Sequence, residues 1–490
     1  MTSLQRCMPR LVVRQLCAGT VNRRHVHVAV IGSGPAGFYF IGSLLRHCPT
    51  ANVDIYEKQP IPFGLARFGV APDHPEVKNC IHQFEKTVGD RKEQLSFLGN
   101  VAVGRDVTID ELRSAYDIVV CAYGAEGDKK LCVPGEDAVN SVSAREFVGW
   151  YNGLPEAQDL KVDLSCEHAV VVGQGNVALD VARVLLSPID RLRNTDTTEH
   201  ALQALAQSTI KRVTLVGRRG PLQVSFTVKE LREMINLPGS VPRFDPSDYP
   251  DLSPNDIKRL PRPRQRLTDL LIRTARQPPT KQPADQHKEW TLKFLRSPVR
   301  VLTDSESGQV SGIELRSNRL DMDWNNLSKV MDAKVSPDDN VPTEVLPCQL
   351  LFTSIGYRSM QVKGLPYDAK RNVIKTEQDG MRVKDLPGVY ATGWCARGAT
   401  GVIATTQTES ASAAQLVARD INDLVKHQPA GRKQGGVVIQ GLLRERRIPW
   451  VSWPEWMVID AREQQLGSKH GKPREKLTNV HDILHVLNKE

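Results

Sequence analysis

No two of the nine cysteines form a C-x-x-C pair; they fall at positions 7, 17, 48, 80, 121, 132, 166, 348 and 395. This argues against an iron–sulfur cluster, a zinc knuckle or a redox disulfide carried by the chain itself. Cysteines scattered in this way serve mostly as small buried apolar residues. Long apolar runs are missing too. A membrane helix needs ~20 such residues, and the most apolar stretch, Val26 to Leu45, is broken by four glycines and a proline. Acid is missing from the start of the chain. No Asp or Glu precedes Asp54, whereas residues 1–24 hold Arg6, Arg10, Arg14, Arg23 and Arg24. Arginine with Ser and Thr and no acid is the composition of a mitochondrial transit peptide, expected over residues 1–24; a disordered tail is the plainer alternative. Without those five arginines the formal charge of +9 falls to +4, so any basic surface has to be local.

Apolar residues make up 40% of the chain and charged residues 25%, a globular composition that excludes bulk disorder. At 490 residues the chain is too long for one ordinary core, and two or three domains are expected. His25–Ile31 reads as a buried parallel strand, residues 36–46 as a helix stopped by Pro49, and Asn52–Glu57 as a second strand. A second unit repeats the order: a strand at 167–172, a helix at 177–186 and a return strand at 212–216. Further buried strands are expected at 115–123, 350–356 and 388–393. Residues 236–290, rich in proline and charge, read as an elaborated surface region, and 303–345 as a hairpin with a loop. The tail from Trp450 holds three tryptophans and ends in a helix near 481–487.

Gly32-Ser33-Gly34-Pro35-Ala36-Gly37 is a complete G-x-G-x-x-G between the first strand and helix. In such a loop the first glycine permits the tight turn, the second lets backbone approach a pyrophosphate, and the third allows close helix–strand packing. Glu57 ends the next strand, twenty residues after Gly37, where a carboxylate accepts from ribose hydroxyls. Gly173-Gln174-Gly175-Asn176-Val177-Ala178 is a G-x-G-x-x-A in the same setting, but its return strand ends in Gly217-Arg218-Arg219. A carboxylate there would repel a 2′-phosphate; paired guanidiniums bind it through charge-assisted bonds. The first loop therefore suits FAD and the second NADP, unless Arg218 and Arg219 are merely solvated strand-end charges. A late strand, Gly388–Gly393, is followed by Trp394, where flavoproteins with two dinucleotide sites usually carry Asp. The Trp394 indole is a candidate to stack near flavin or nicotinamide, or else a core residue.

The sequence resembles the adrenodoxin reductase family, the mitochondrial NADPH–ferredoxin reductases, from about residue 27 to the end. The segments that carry the resemblance are Asp54–Lys78 (DIYEKQPIPFGLARFGVAPDHPEVK), Gly173–Arg183 (GQGNVALDVAR), Val216–Glu233 (VGRRGPLQVSFTVKELRE) and Arg397–Thr406 (RGATGVIATT). The resemblance implies an α/β fold of two Rossmann-like dinucleotide-binding domains. The FAD domain would be discontinuous, residues 25–125 and 356–490, with the NADP domain, 126–355, inserted into it. FAD would touch Ala36, Glu57, Leu65, Val101, Trp394, Gly401, Val402 and Ile403. NADP would touch Gln174, Gly175, Asn176, Val177, Arg218, Arg219, Glu230 and Gly401. His74, Asp180 and Glu230 would lie near the nicotinamide–flavin contact, handling a proton or orienting the ring, and no metal is expected.

The implied reaction passes hydride from NADPH to FAD and single electrons to an acidic [2Fe-2S] ferredoxin, which supplies mitochondrial P450s (steroid metabolism) or iron–sulfur assembly. Residues 258–300 contain twelve Lys or Arg and three acids. A helix begun by Pro263 would put Arg266 and Arg273 on one face and Leu267, Leu270 and Leu271 on another. Such a stripe suits an acidic protein, or is a solvated charged face. The family places ferredoxin-docking arginines at positions matching Arg232, Arg262 and Arg266. Prolines interrupt the run and aromatics do not interleave it, so nucleic acid is not expected. The expected setting is the mitochondrial matrix, as a monomer, with at most a peripheral seat on the inner membrane. The main rival, the small subunit of glutamate synthase, would need a cysteine-rich N-terminal segment, and residues 1–60 hold only Cys7, Cys17 and Cys48.

Overall fold

A computed structural model describes residues 25–277, 288–427 and 433–489. The arginine-rich segment 1–24, and with it the expected transit peptide, lies outside them, as does the 278–287 part of the basic run. No described helix is long and apolar enough to cross a membrane.

An unbroken valine-rich run makes the strand His27–Ile31, whose Val28, Ala29 and Val30 are fully buried, as a strand covered on both faces must be. Pro35 opens the helix Pro35–His47, where its missing N–H costs nothing. The return strand Asn52–Tyr56 pairs parallel with the first, Ile31 opposite Tyr56. Leu95–Leu98, Ile118–Cys121 and the distant Val389–Ala391 complete a five-stranded parallel sheet, in the order 389–391, 118–121, 27–31, 52–56, 95–98. The helix Ile403–His427 lies along Pro35–His47, burying Ala413, Ala414 and Val417 in the same core as Phe40, Ile41 and Leu44.

A second parallel sheet has six strands, in the order Ser141–Ser143, Leu350–Thr353, His168–Val172, Arg212–Val216, Lys288–Lys293, Ser240–Pro242. In each sheet the strand that leads into a glycine loop has its sequence successor on one side and a later strand on the other. Both loops therefore sit at a topological switch point, at the carboxyl ends of the strands, where open α/β sheets bind ligands. An antiparallel lobe, Arg296–Thr303 against Val310–Asp321 with two short strands added, stands beside the second sheet.

The structure corrects the sequence reading in three places. Residues 236–290 are not only surface. They include the helix Arg262–Arg276, whose Leu267 and Leu271 join the core, and the start of the central strand Lys288–Lys293, whose Trp290 is buried. Charge on the outer face of this helix and the prolines around it mask the apolar stripe. The hairpin expected at 303–345 begins earlier, at Arg296. In the tail, Ser452 and Glu455 form a capping box that starts a sixteen-residue helix, Trp453–Ser468, which the tryptophan spacing did not announce.

That last helix anchors buried ions. Arg67 Nη2 lies 2.7 Å from Glu463 Oε1, with both side chains almost wholly buried, and the Arg67 guanidinium also rests on Trp456. Just beyond the helix, Lys476 Nζ lies 2.9 Å from Asp196 Oδ2, while Lys78 Nζ lies 2.7 Å from Asp196 Oδ1. One carboxylate thus joins three distant segments. Burial, resisted by Asp196 and reinforced by Lys78 and Arg67, brings the Lys476 ammonium down to about 7. An unfolded lysine keeps its proton to about pH 10.4. The unfolded state therefore holds more protons across that window, and stability rises with pH from about 7 towards about 10. Urea unfolding of the wild type and Lys476→Met, at pH about 6.5 and about 9, should show the wild type gaining on the variant at the higher pH. A gap that does not change with pH would refute this.

Candidate functional site

The two glycine loops are built alike. Gly32 and Gly173 have φ of 103° and 139°, and a Cβ there would fall 2.6 Å from Tyr123 Cα and 2.1 Å from Ser354 O. Only glycine fits either turn. The next glycines, Gly34 and Gly175, are the residues just before each helix, and a Cβ on either would meet nothing within 4 Å. Each helix N-terminus therefore opens on free space, the cradle that a pyrophosphate requires. Gly37 packs so tightly that a Cβ would sit 2.2 Å from Gly32 O; its counterpart Ala178 is fully buried.

The remaining expected FAD residues gather at the first loop. Glu57 Oε2 accepts from Ser33 N at 3.0 Å and Ser33 Oγ at 2.8 Å, so the carboxylate braces the loop itself. Burial raises it above the usual carboxylate range, against these hydrogen bonds. Val101 N donates to Glu57 O at 2.8 Å. Leu65 opens a short helix after Gly64, which approaches Gly34. A Cβ on Gly393 would touch Ala36 Cβ at 2.7 Å, so the late strand ends on this loop. Trp394, partly exposed, stacks obliquely on Tyr357 with ring centroids 5.9 Å apart, and its Nε1 donates to Thr400 O at 3.0 Å. That bond leads directly into Gly401, the exposed Val402, and Ile403 at the head of the long helix.

At the second loop the Gln174 side chain turns inward, donating to Leu215 O and Lys293 O, both at 3.2 Å, so its backbone alone lines the cradle. Asn176 Oδ1 accepts from Thr227 N at 2.9 Å, and Val177 lies in the first turn of the helix. Arg218 is exposed and Arg219 half-buried, at the end of the return strand. Among the described residues neither guanidinium is paired with a carboxylate.

Three residues from separate segments converge, one of them, Asp180, on the helix that follows the second loop. His74, Asp180 and Glu230 each bring a polar side-chain atom within 4.8 Å of the others. Arg183, buried, lies beneath them. Its Nη1 is 2.7 Å from Asp180 Oδ1 and 3.7 Å from Glu230 Oε2, while Nε and Nη2 hold Asp73 bidentately at 2.7 and 3.0 Å. One cation thus faces three carboxyl groups. Burial raises Asp180 and Glu230, Glu230 further through Asp180 beside it. Burial also works to raise Asp73, but Arg183 outweighs it and holds that carboxyl below its ordinary value. His74 Nε2 sits 2.6 Å from Glu233 Oε2.

The model of the pyridine nucleotide-disulphide oxidoreductase family matches residues 26–236. The human protein named NADPH:adrenodoxin oxidoreductase, mitochondrial, is 50% identical over 465 residues, covering 94% of this chain and 91% of its own. The Arabidopsis thaliana protein of that name is 39% identical over 97% of this chain and 99% of its own. This chain belongs to the NADPH:adrenodoxin oxidoreductase family. The solved structure of FprA from Mycobacterium tuberculosis in complex with NADPH aligns with it at a TM-score of 0.86 and 36% identity, over 94% of this chain and 99% of that one. The chain pairs two dinucleotide-type parallel sheets. All seven described cysteines are free.

The three arginines that the adrenodoxin reductase resemblance marks for docking, Arg232, Arg262 and Arg266, are all exposed, and the helices that carry them, Val228–Ile235 and Arg262–Arg276, touch. Glu230 and Arg232 share the first of these helices, one facing the pocket and the other solvent. Sequence reasoning missed Asp73, Arg183 and Glu233. Each lies inside a quoted family segment, so the available signal was a charge kept within an otherwise apolar or glycine-rich motif.

Proposed function

We propose that this chain is an FAD flavoprotein of the mitochondrion that takes hydride from NADPH and passes electrons singly to an acidic [2Fe-2S] ferredoxin of the adrenodoxin type. The observation that carries this reading is the contrast between the strand ends beside two open glycine cradles: half-buried Glu57 at one and, at the other, Arg218 and Arg219, which pair with no carboxylate among the described residues. On this reading residues 25–125 and 356–490 form the FAD domain and 126–355 the NADP domain, and the protein works as a monomer in the matrix, at most peripheral to the inner membrane. FAD, when bound, supplies the conversion of one hydride into two separate electrons. The protein's part is to bind, align and shield. The two helix N-termini hold the pyrophosphates, Glu57 fixes one ribose, and Arg218 and Arg219 fix the other through its 2′-phosphate. Trp394 and Tyr357 wall the space between. Burial raises the Asp180 and Glu230 carboxyls above their ordinary values, and these groups, beside His74, handle a proton or orient the ring. The outward arginines Arg232, Arg262 and Arg266 receive the acidic partner.

The test is an anaerobic titration of the yellow holoprotein. NADPH is expected to bleach the flavin at about one equivalent and NADH only in large excess. Added ferredoxin then reduces cytochrome c at a rate that falls steeply with salt, because complementary charge speeds encounter. No bleaching by NADPH would sink the reading, and a salt-independent rate would sink the docking surface.

A further inference from the structure

The helix Arg262–Arg276 carries a basic residue that the docking surface does not use. Arg264 lies two positions from both Arg262 and Arg266, which turns it about 200° away from each around the helix. Those two are exposed; Arg264 is half-buried. The helix is held from behind by Leu267 and Leu271, in the core that also contains Val213, Leu215 and Val224.

Arg264 Nη1 donates to the carbonyl oxygen of Val224. Val224 closes the turn Pro221–Gln223, which starts one residue beyond Arg219 and Gly220. The next residue, Ser225, donates its N–H to Gln174 O at 2.9 Å. One short segment therefore ties Arg264 to the strand-end arginines on one side and to the second glycine loop on the other.

The local charge is compensated only in part. Arg296, whose N–H donates to Gly217 O at 2.9 Å, pairs with Glu344, and so does Lys293. Among the described residues no carboxylate is paired with Arg218, Arg219 or Arg264. Burial first, then the positive charge of Arg219, presses the Arg264 guanidinium below its usual range, although arginine stays charged. Acid is thus placed against the cations on one side of this corner and withheld on the other. Gathered guanidiniums without a protein counter-charge are the arrangement that receives a phosphate dianion.

We infer that Arg264 joins Arg218 and Arg219 as a third guanidinium facing the 2′-phosphate of the nicotinamide dinucleotide, and so contributes to the choice of NADPH over NADH. This rests on the assignment of NADP to the second loop. The alternative is a purely structural arginine that clamps Val224.

The experiment uses the oxidised holoprotein, with 2′,5′-ADP and 5′-ADP as probes in calorimetry at fixed low salt. Arg264→Gln is expected to weaken 2′,5′-ADP by about tenfold, the size of one charge-assisted contact, and to leave 5′-ADP unchanged. Arg264→Lys, which keeps the charge, should recover most of the loss. The NADPH/NADH ratio of kcat/KM should follow the same order. Equal weakening of both probes would mean that Arg264 only supports the fold and would overturn the inference. Arg219→Gln is the control. If it lowers 2′,5′-ADP affinity while Arg264→Gln does not, this inference fails and the NADP assignment stands. If neither variant does, the assignment fails too.

Discussion

Replacing Arg218 and Arg219 together with alanine is expected to lower kcat/KM for NADPH by about 10² to 10³, while NADH changes by no more than about threefold. A hydrogen bond to a charged group is worth about 1.5–3 kcal/mol, and each 1.4 kcal/mol is about tenfold. Two such contacts would reach further, but Arg218 is exposed and water screens part of its share. NADH has no 2′-phosphate, so it loses nothing that the two arginines supplied. The measurement is the ratio of the two specificity constants at constant ionic strength. A variant that loses both nucleotides in parallel would place the arginines in the fold rather than in recognition. The flavin should stay bound throughout, because its loop belongs to the other sheet.

The parts of the site that local backbone dictates were legible in the sequence. A G-x-G-x-x-G between a valine-rich strand and a helix has essentially one geometry, so Gly32, Gly34 and Gly37 could be given separate tasks before any coordinates. The charge contrast of Glu57 with Arg218 and Arg219 was legible for the same reason: each ends a strand adjacent to its loop. Trp394 stood out as a departure at a place where the chain was already constrained. What was hidden depends on segments that meet only in the fold. Arg67 and Glu463 are 396 residues apart, and Arg183 and Asp73 110. No periodicity links such partners. The helix Arg262–Arg276 was half legible, since its apolar stripe was read correctly but the strand that follows it was lost among prolines and charges. Gln174 shows a subtler limit. Its place in the motif was right, but its side chain serves the sheet, which spacing cannot report.

Arg183→Met is expected to cost about 3–5 kcal/mol of stability, the usual consequence of removing one partner from a buried ionic cluster. The arginine is buried against Asp73, Asp180 and Glu230, and methionine fills much of the volume without the charge. Three carboxyl groups would then share a dry site with no cation. The loss should depend on pH in a defined direction. Without Arg183 each carboxyl has a folded pKa raised above its unfolded value. Such a group contributes its stability fully below the unfolded pKa, near 4, and loses it as pH rises through the folded value. The variant should therefore approach the wild type in acid and fall away from it towards neutral pH, as read from urea unfolding at several pH values. In the wild type Asp73 behaves oppositely, because Arg183 holds it below its ordinary range and that stability is lost as acid protonates it. Glu230→Gln supplies the contrast. Burial shifts Glu230 towards its neutral form, so a neutral isostere should cost little stability, yet it removes the titratable carboxyl beside His74. A large pH-dependent loss in Arg183→Met, with a small and flat one in Glu230→Gln, would separate the residue that holds the pocket together from the one that uses it. If Arg183→Met unfolds like the wild type at neutral pH, the buried charges are compensated by some other route and this account of the pocket is wrong.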